Sequence, residues 1–413
     1  MWPSARSLVT AYAPARTART PRLYFGFVTL AMAAGAVVLI EPAPVDVALM
    51  ALLVCGLFLG AFRFTQSQGV PFILFGCIAI ANLVSLAEAI DLPRGILYCA
   101  TTMYLMLSWV FYAGFVSRYG NQAVQSIWNG YVIAGLVSAI PAILAYFRVI
   151  PFQQTLLLFG RPKGFFKDPN VYGPYLVPMV LYSLAKLEKT AGRRRALWTA
   201  ICFISLIGLV LSFSRACWIN MVVAAAVYFA VTRLVLPRSA KSCSSGPRIA
   251  LVLCVAVSAL AVFLSIPQVR QMITIRLGSN GLQAYDDDRF STQTKALETA
   301  VEQPLGIGPG QAEVAFDYST HSTYLRLLSE NGPLALLAFA ALLSLTLIRS
   351  LHLARAHKSN SWRILMAITC AALAGYVVNS FVIDTVHWRH IWLFLALPWA
   401  SHPDMHRAET AKG

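Results

Sequence analysis

Charge is what this chain has least of. Asp, Glu, Lys and Arg make up only 12% of its 413 residues, about half the share of a soluble domain. With 58% hydrophobic residues and a mean hydropathy of +0.65, a soluble globule is excluded. Acidic residues are the scarcer sign, 17 against 33 basic. Cysteine occurs eight times, but in no CxxC or Cys/His spacing. Cys55, Cys77, Cys99, Cys202, Cys217, Cys254 and Cys370 fall in apolar runs and Cys243 in an inside loop, so neither a disulfide framework nor a zinc site is expected. The GxGxxG dinucleotide fingerprint is also missing, since GIGPG lacks its spacing. There is no room for a soluble nucleotide-binding domain.

Long apolar runs are abundant. A span needs about 20 apolar residues, and twelve candidates lie near 24–40, 45–62, 70–87, 95–116, 126–147, 171–187, 196–213, 215–235, 248–266, 333–351, 364–383 and 388–400. With a cytoplasmic N-terminus, the inside loops hold 21 of the 33 basic residues and, of the acidic ones, only Glu188, Asp404 and Glu409. The positive-inside rule thus agrees with hydropathy. The expected fold is all-α and polytopic, with about 12 transmembrane helices and one long outside segment between the ninth and tenth. That divides the chain into a nine-helix region with a basic cytosolic tail (1–266), an outside catalytic segment (267–332) and a three-helix region with a cytosolic tail (333–413). The tail carrying Arg6, Arg16, Arg19 and Arg22 reads as cytosolic rather than as a cleaved targeting peptide, although AMAAGA holds small residues. Topology and anionic membrane lipids account for the net charge of +16, so no nucleic-acid partner is expected.

Three outside loops carry chemistry. In the third, PFQQTLLLF is too short to span, and GRPKGFFKDPN packs Arg161, Lys163 and Lys167 into seven residues. Asp168 then reads as an N-cap, Pro169 as the first helical residue and Asn170 as the next, a helix start that beside three cations would attract an anion. An ordinary cap with interfacial anchors is the alternative. The block 196–235 must turn at SFSRACW, which puts Arg215 at the edge of the hydrocarbon with no acidic residue near it in sequence. A charge that deep is expensive and reads as kept for a partner rather than as a snorkelling anchor.

Residues 266–333 form the one long hydrophilic interruption. Its Asp286–Asp288 and Arg289 run is similar to the paired aspartates of metal-dependent nucleotide-sugar glycosyltransferases, but reads as a solvated turn or helix N-terminus. GIGPG reads as a turn that brings backbone N–H groups near a ligand. From about Thr320 the pattern is helical, with His321, Leu325, Leu328 and Gly332 on one face. Glu330, roughly 180° away, cannot orient His321 within a straight helix, so any carboxylate that does must come from another segment. Asp384, His387, Arg389 and His390 fall in the last outside turn, read as interfacial anchoring beside Trp388 and Trp392. Asn82, Asn129 and Asn220 read as interhelical hydrogen-bond formers.

From Arg161 to Trp399 the chain resembles the bacterial O-antigen ligase and O-antigen polymerase superfamily. The likeness rests on GRPKGFFKDPNVYG, SFSRA, PLGIGPG followed by HSTYLRLLSENG, and RHIWLFLAL. The first 150 residues match only as hydrophobic helices. His321, Ser322 and Gly332 fit the ligase pattern, whereas Ala335 stands where that pattern has Gly, Thr or Tyr. The resemblance implies transfer of a glycan from a polyprenyl (undecaprenyl) diphosphate carrier to an acceptor hydroxyl, such as lipid A-core or a growing glycan. The site would face the periplasm at the bacterial inner membrane, with no metal or other cofactor. His321 suits a general base. Arg215, with Arg289, Arg161, Lys163 and Asn170, suits the diphosphate. A transporter or lipid flippase fits twelve helices too, but its ionisable groups would sit near the midplane rather than at the outer ends.

Overall fold

The computed structural model describes residues 22–235, 265–277, 283–316, 318–357 and 359–402. It is helical almost throughout. In chain order the helices are α1 (Arg22–Ala34), α2 (Pro44–Phe58), α3 (Gly69–Ser85), α4 (Leu92–Tyr119), α5 (Asn121–Tyr146), the single turn α6 (Gln153–Leu156), α7 (Pro169–Lys189), α8 (Gly192–Leu211) and α9 (Arg215–Ala230). After these come α10 (Pro267–Leu277), α11 (Gln283–Glu302), the single turn α12 (Ala312–Ala315), α13 (Thr323–Ala356), α14 (Asn360–Asn379) and α15 (Arg389–Ala396). Among the described residues the only β-structure is an antiparallel pair, β1 (Leu157–Leu158) with β2 (Arg161–Pro162).

Seven helices are long and apolar enough to cross a membrane: Gln66–Glu88, Leu92–Tyr119, Asn121–Tyr146, Gly192–Leu211, Arg215–Leu234, Thr323–Ala356 and Asn360–Asn379. The chain is a multi-pass membrane protein. α1 and α2 are shorter apolar helices. The span expected at 248–266 lies outside the described residues, apart from its last two, as does the basic tail 1–21.

The span expected at 388–400 takes another form. α15 has eight residues, continued by a 3-10 turn at Leu397–Trp399. Its side chains are nearly all buried, including Trp392 and Leu395 at 0% exposure. Arg389 starts it at the level of Tyr104, since both bind Asp46. Tyr104 lies twelve residues into α4, about 18 Å along the axis. The loop before α15 therefore descends into the bundle. Irregular backbone at such depth is tolerated because protein surrounds it. Trp388 and His390 are buried, and His387 half-buried, for the same reason, which corrects the expectation of interfacial anchors.

Loop contacts sort the bundle into two ends. At one, Arg94 pairs with Glu313, Gln311 bonds both backbone groups of Asp91, Lys167 pairs with Glu41, and Val38 N–H donates to the Phe165 carbonyl. Apart from Val38, near the end of the first expected span, these residues belong to loops expected outside. At the other, Trp399 O accepts from Ser67 and Gln68, Ser401 N–H donates to Ser117 Oγ, and Arg349 Nε donates to Pro398 O. Ser67, Gln68, Ser117, Arg349 and Ser401 belong to segments expected inside, and Pro398 and Trp399 close the last expected span.

Close helix approach holds this arrangement. A Cβ at Gly130 of α5 would stand 2.3 Å from the Thr29 carbonyl of α1. Membrane helices lack a hydrophobic drive to associate and rely on such small-residue contacts. Beside it, Tyr131 and Tyr175 stack at 4.3 Å, and each donates its hydroxyl to the other's carbonyl. Of the three asparagines, only Asn82 makes an interhelical side-chain bond, from Asn331 at 3.3 Å. Asn129 is exposed, and Asn220 is buried with its amide unpartnered.

Candidate active site

His321 stands in the loop just before α13, not on the helix face the sequence pattern suggests. Its φ is 47°, a left-handed conformation that costs a non-glycine residue about 1–2 kcal/mol. The chain around it is fixed on its C-terminal side. Ser322 caps α13 by accepting from Leu325 N–H, and donates its hydroxyl to Ser380 O. Thr323 N–H also donates to Ser380 O, at 2.9 Å, while its hydroxyl reaches Ile383 O and Thr385 Oγ1. On the other side, Gln293 of α11 donates to Thr320 O at 3.2 Å. The Tyr318 ring lies 5.2 Å from the imidazole. Strained residues that the surroundings over-determine in this way concentrate at functional sites.

The imidazole is half-buried among charges from four segments. Burial first, then Arg289 of α11 and Arg326 of α13, lower its pKa below the ordinary 6.5, while Asp168 and Glu313 pull upward. Near neutrality the ring is therefore mainly neutral and able to accept a proton. The carboxylates that face it do come from other segments: Asp168 precedes α7 and Glu313 lies in α12.

The other sequence-predicted residues lie at the same bundle end. α7 begins as expected, with Asp168 accepting from Asn170 N–H at 2.6 Å and Pro169 in the first turn. Arg161 is buried, and its guanidinium bridges two segments, donating to Ser212 O at 3.0 Å and to Asn170 Oδ1 at 3.0 Å. It thereby braces the turn ahead of α9, where Phe213 has φ 46° and Ser214 caps Cys217 N–H. Arg215 follows as the first residue of α9, half-buried at the bundle end. Arg289 is half-buried too, and its Nε is a buried donor without a hydrogen-bond partner. Lys163 makes no ion pair among the described residues; its backbone N–H donates to Leu156 O. Arg161 is thus fastened to protein, while Arg289 and Lys163 keep donors for something else.

Beneath His321 lies a second charged group that sequence reasoning passed over. Arg326, 6% exposed, pairs with Glu313, with Asp384 at 2.6 Å and with Glu330 at 3.4 Å, and its guanidinium lies 5.7 Å from the centre of the Tyr98 ring. Glu330, fully buried, accepts from Gly310 N–H at 2.8 Å and Ala312 N–H at 2.9 Å. Ile307 N–H and Gly308 N–H donate to the Ser329 and Glu330 carbonyls. The GIGPG turn therefore has these N–H groups engaged within the protein, which corrects the expectation that they face a ligand. It fits only as glycine: Gly306 has φ 87°, and a Cβ there would meet Glu330 O at 2.3 Å. The signal for this network was the i, i+4 spacing of Arg326 and Glu330.

The segment expected outside is also more helical than its hydropathy suggests. α13 runs from Thr323 through a kink at Gly332, φ 75°, and Pro333, so residues 323–331 are the first turns of a membrane helix. Asp286–Asp288 fall in the first two turns of α11, as a helix N-terminus.

With Arg161, Asn170, Arg215, Arg289 and His321 at one bundle end, the arrangement offers a proton acceptor beside cationic donors, the pairing needed to move a group off an anionic leaving group. No functionally curated protein matches the chain significantly. Residues 200–340 match the family model described as O-antigen ligase, a stretch that contains Arg215, Arg289 and His321 and stops short of Arg161, Lys163 and Asn170. Over residues 200–340 the chain is thus similar to the O-antigen ligase family.

Proposed function

We propose that the chain transfers a glycan from a polyprenyl diphosphate carrier to an acceptor hydroxyl, such as one on lipid A-core, at the periplasmic face of a bacterial inner membrane. The observation that carries this reading is a neutral-prone histidine in electrostatic contact with Arg289 and Asp168, with Asp168 tied through Asn170 and Arg161 to the turn that presents Arg215. His321 takes the acceptor proton as its oxygen attacks the anomeric carbon of the donor. The bond from that carbon to the diphosphate breaks, and the leaving diphosphate carries the charge away. Arg215 and Arg289 stabilise that charge as it develops, with Lys163 at the rim and Arg161 holding the turn in place. Removing one such donor typically costs about 2.7–4 kcal/mol of transition-state stabilisation. A lipid-bound donor suits an architecture whose cations lie where the helices end. Its tail stays among apolar helices while its glycan meets water.

A polymerase that extends carrier-linked repeats is the second reading, favoured by Ala335. It stands where the ligase pattern has Gly, Thr or Tyr, and is fully buried against the bundle core. The test is transfer by purified protein from a polyprenyl diphosphate glycan, offered lipid A-core or a carrier-linked repeat, each with and without chelator. Product on lipid A-core supports the ligase, lengthened carrier-linked chains support the polymerase, and chelator is expected to leave either rate unchanged. No product on either acceptor would sink both readings.

A further inference from the structure

We propose that Arg326 is a positioning residue for His321, fixing both chain segments that flank it by holding Glu313, Asp384 and Glu330 at once. The inference rests on the reading of His321 as the base, and names the device that holds that base in place. At φ 47° the histidine backbone is not in a conformation its own sequence prefers, so anchors on both sides must impose it. Upstream, the strap 303–316 is tied down at two points. Glu313 binds Arg326 and Arg94, and Glu330 takes the N–H groups of Gly310 and Ala312. Downstream, Ser322 and Thr323 hang from the loop 380–385, and Asp384 of that loop binds Arg326 Nη1 and accepts from Val386 N–H at 3.2 Å. Both sets of anchors meet on one guanidinium, five residues past His321.

Neutralising a buried arginine takes one carboxylate. Three carboxylates, carried by α12, by α13 itself and by the loop before α15, are what is needed to join three segments. A guanidinium suits this because its donors form a rigid planar fork, whereas a lysine ammonium is one point charge on a flexible stem. The charges facing His321 are Arg289 from α11, Arg326 from α13, Asp168 from the start of α7 and Glu313 from α12, with the Tyr318 ring beside it. Arg326 therefore touches the histidine electrostatically as well as mechanically, and the two effects separate by substitution.

The experiment uses the full-length protein in lipid nanodiscs. Transfer is measured as kcat and KM, and the reaction of His321 with diethyl pyrocarbonate is followed against pH by peptide mass spectrometry, which needs no substrate. Arg326→Lys keeps the charge and loses the fork. It should lower kcat on the order of 100-fold, as a misplacement of about 1 Å can do, with KM little changed and the labelling midpoint where it is in wild type. Arg326→Gln should lower kcat similarly and also move the labelling midpoint to higher pH, because a neighbouring cation is gone. Glu313→Gln, which leaves Arg326 its other two carboxylates and so guards against misfolding, should give a smaller loss in kcat. Wild-type kcat in folded Arg326→Lys overturns the proposal, as does an unchanged labelling midpoint in Arg326→Gln. Wild-type protein that labels normally but transfers no glycan overturns the functional reading instead. In that case, equal labelling rates and midpoints in wild type and both Arg326 variants still count against positioning.

Discussion

One end of the bundle holds two groups of charges that differ in balance. Around Arg326, three carboxylates converge on one buried guanidinium, whose two Nη groups bind Glu313 and Asp384 while its Nε lies 3.4 Å from Glu330. Beside His321, Arg289 has a buried donor without a partner, and at the same bundle end Lys163 makes no ion pair among the described residues and Arg215 stands at a helix start. A closed network of the first kind fixes geometry. An open one of the second kind leaves positive potential for an incoming anion, at the cost of stability while the site is empty. The same residue types thus do different work according to whether their partners are protein or substrate.

The sharpest way to break the comparison is to remove the open group's chemistry and ask whether the fold survives. His321→Ala should reduce transfer about 100- to 10,000-fold, the range of a lost general base, while the protein still inserts and elutes as wild type on size exclusion. Arg215→Ala should follow, at about 100- to 1,000-fold in kcat, with Arg215→Lys recovering part of the loss because a point charge replaces a bidentate donor. If either alanine variant transfers at the wild-type rate, the assignment of the open group as the reactive centre fails. The closed group should respond in the opposite sense. Glu330→Gln weakens the carboxylate that accepts from Gly310 and Ala312 and pairs with Arg326. A loss of about 2 kcal/mol in stability is expected, read as a lower thermal midpoint in detergent. An unchanged midpoint would mean the network is not structural.

Much of this was legible before any fold was known. Hydropathy located the seven long apolar helices, because burial of apolar length is a local property of sequence. Asp168-Pro169-Asn170 announced the start of α7 for the same reason. What was not legible depended on contacts between distant segments. His321 continues a helical pattern, yet lies outside the helix because Ser322, capped and hung from the 380–385 loop, takes the helix start for itself. The glycines of GIGPG look free to bind a ligand until Glu330, twenty residues on, closes over them. The turn before α15 has the aromatic and basic composition of an interfacial anchor, but Asp46, more than three hundred residues earlier, draws Arg389 into the bundle.

The smallest effects should be the most discriminating, because they ask whether the two groups share one electrostatic field. Burial together with Arg289 and Arg326 holds the His321 pKa below its ordinary value, and Asp168 opposes them. If the neutral imidazole is the active form, kcat/KM should rise with pH along an acid limb whose midpoint is that lowered pKa, and then level off. Arg289→Gln removes a neighbouring cation, which makes protonation easier, raises the pKa and moves the limb to higher pH. Asp168→Asn removes a neighbouring anion, which makes protonation harder and moves the limb to lower pH. It keeps a side-chain oxygen able to cap α7, so the shift need not come from unfolding of that helix. Opposite displacements measure the field at the histidine directly. Movement of both limbs in the same direction would mean that the titrating group is another residue, and the open group would then have to be rebuilt around it.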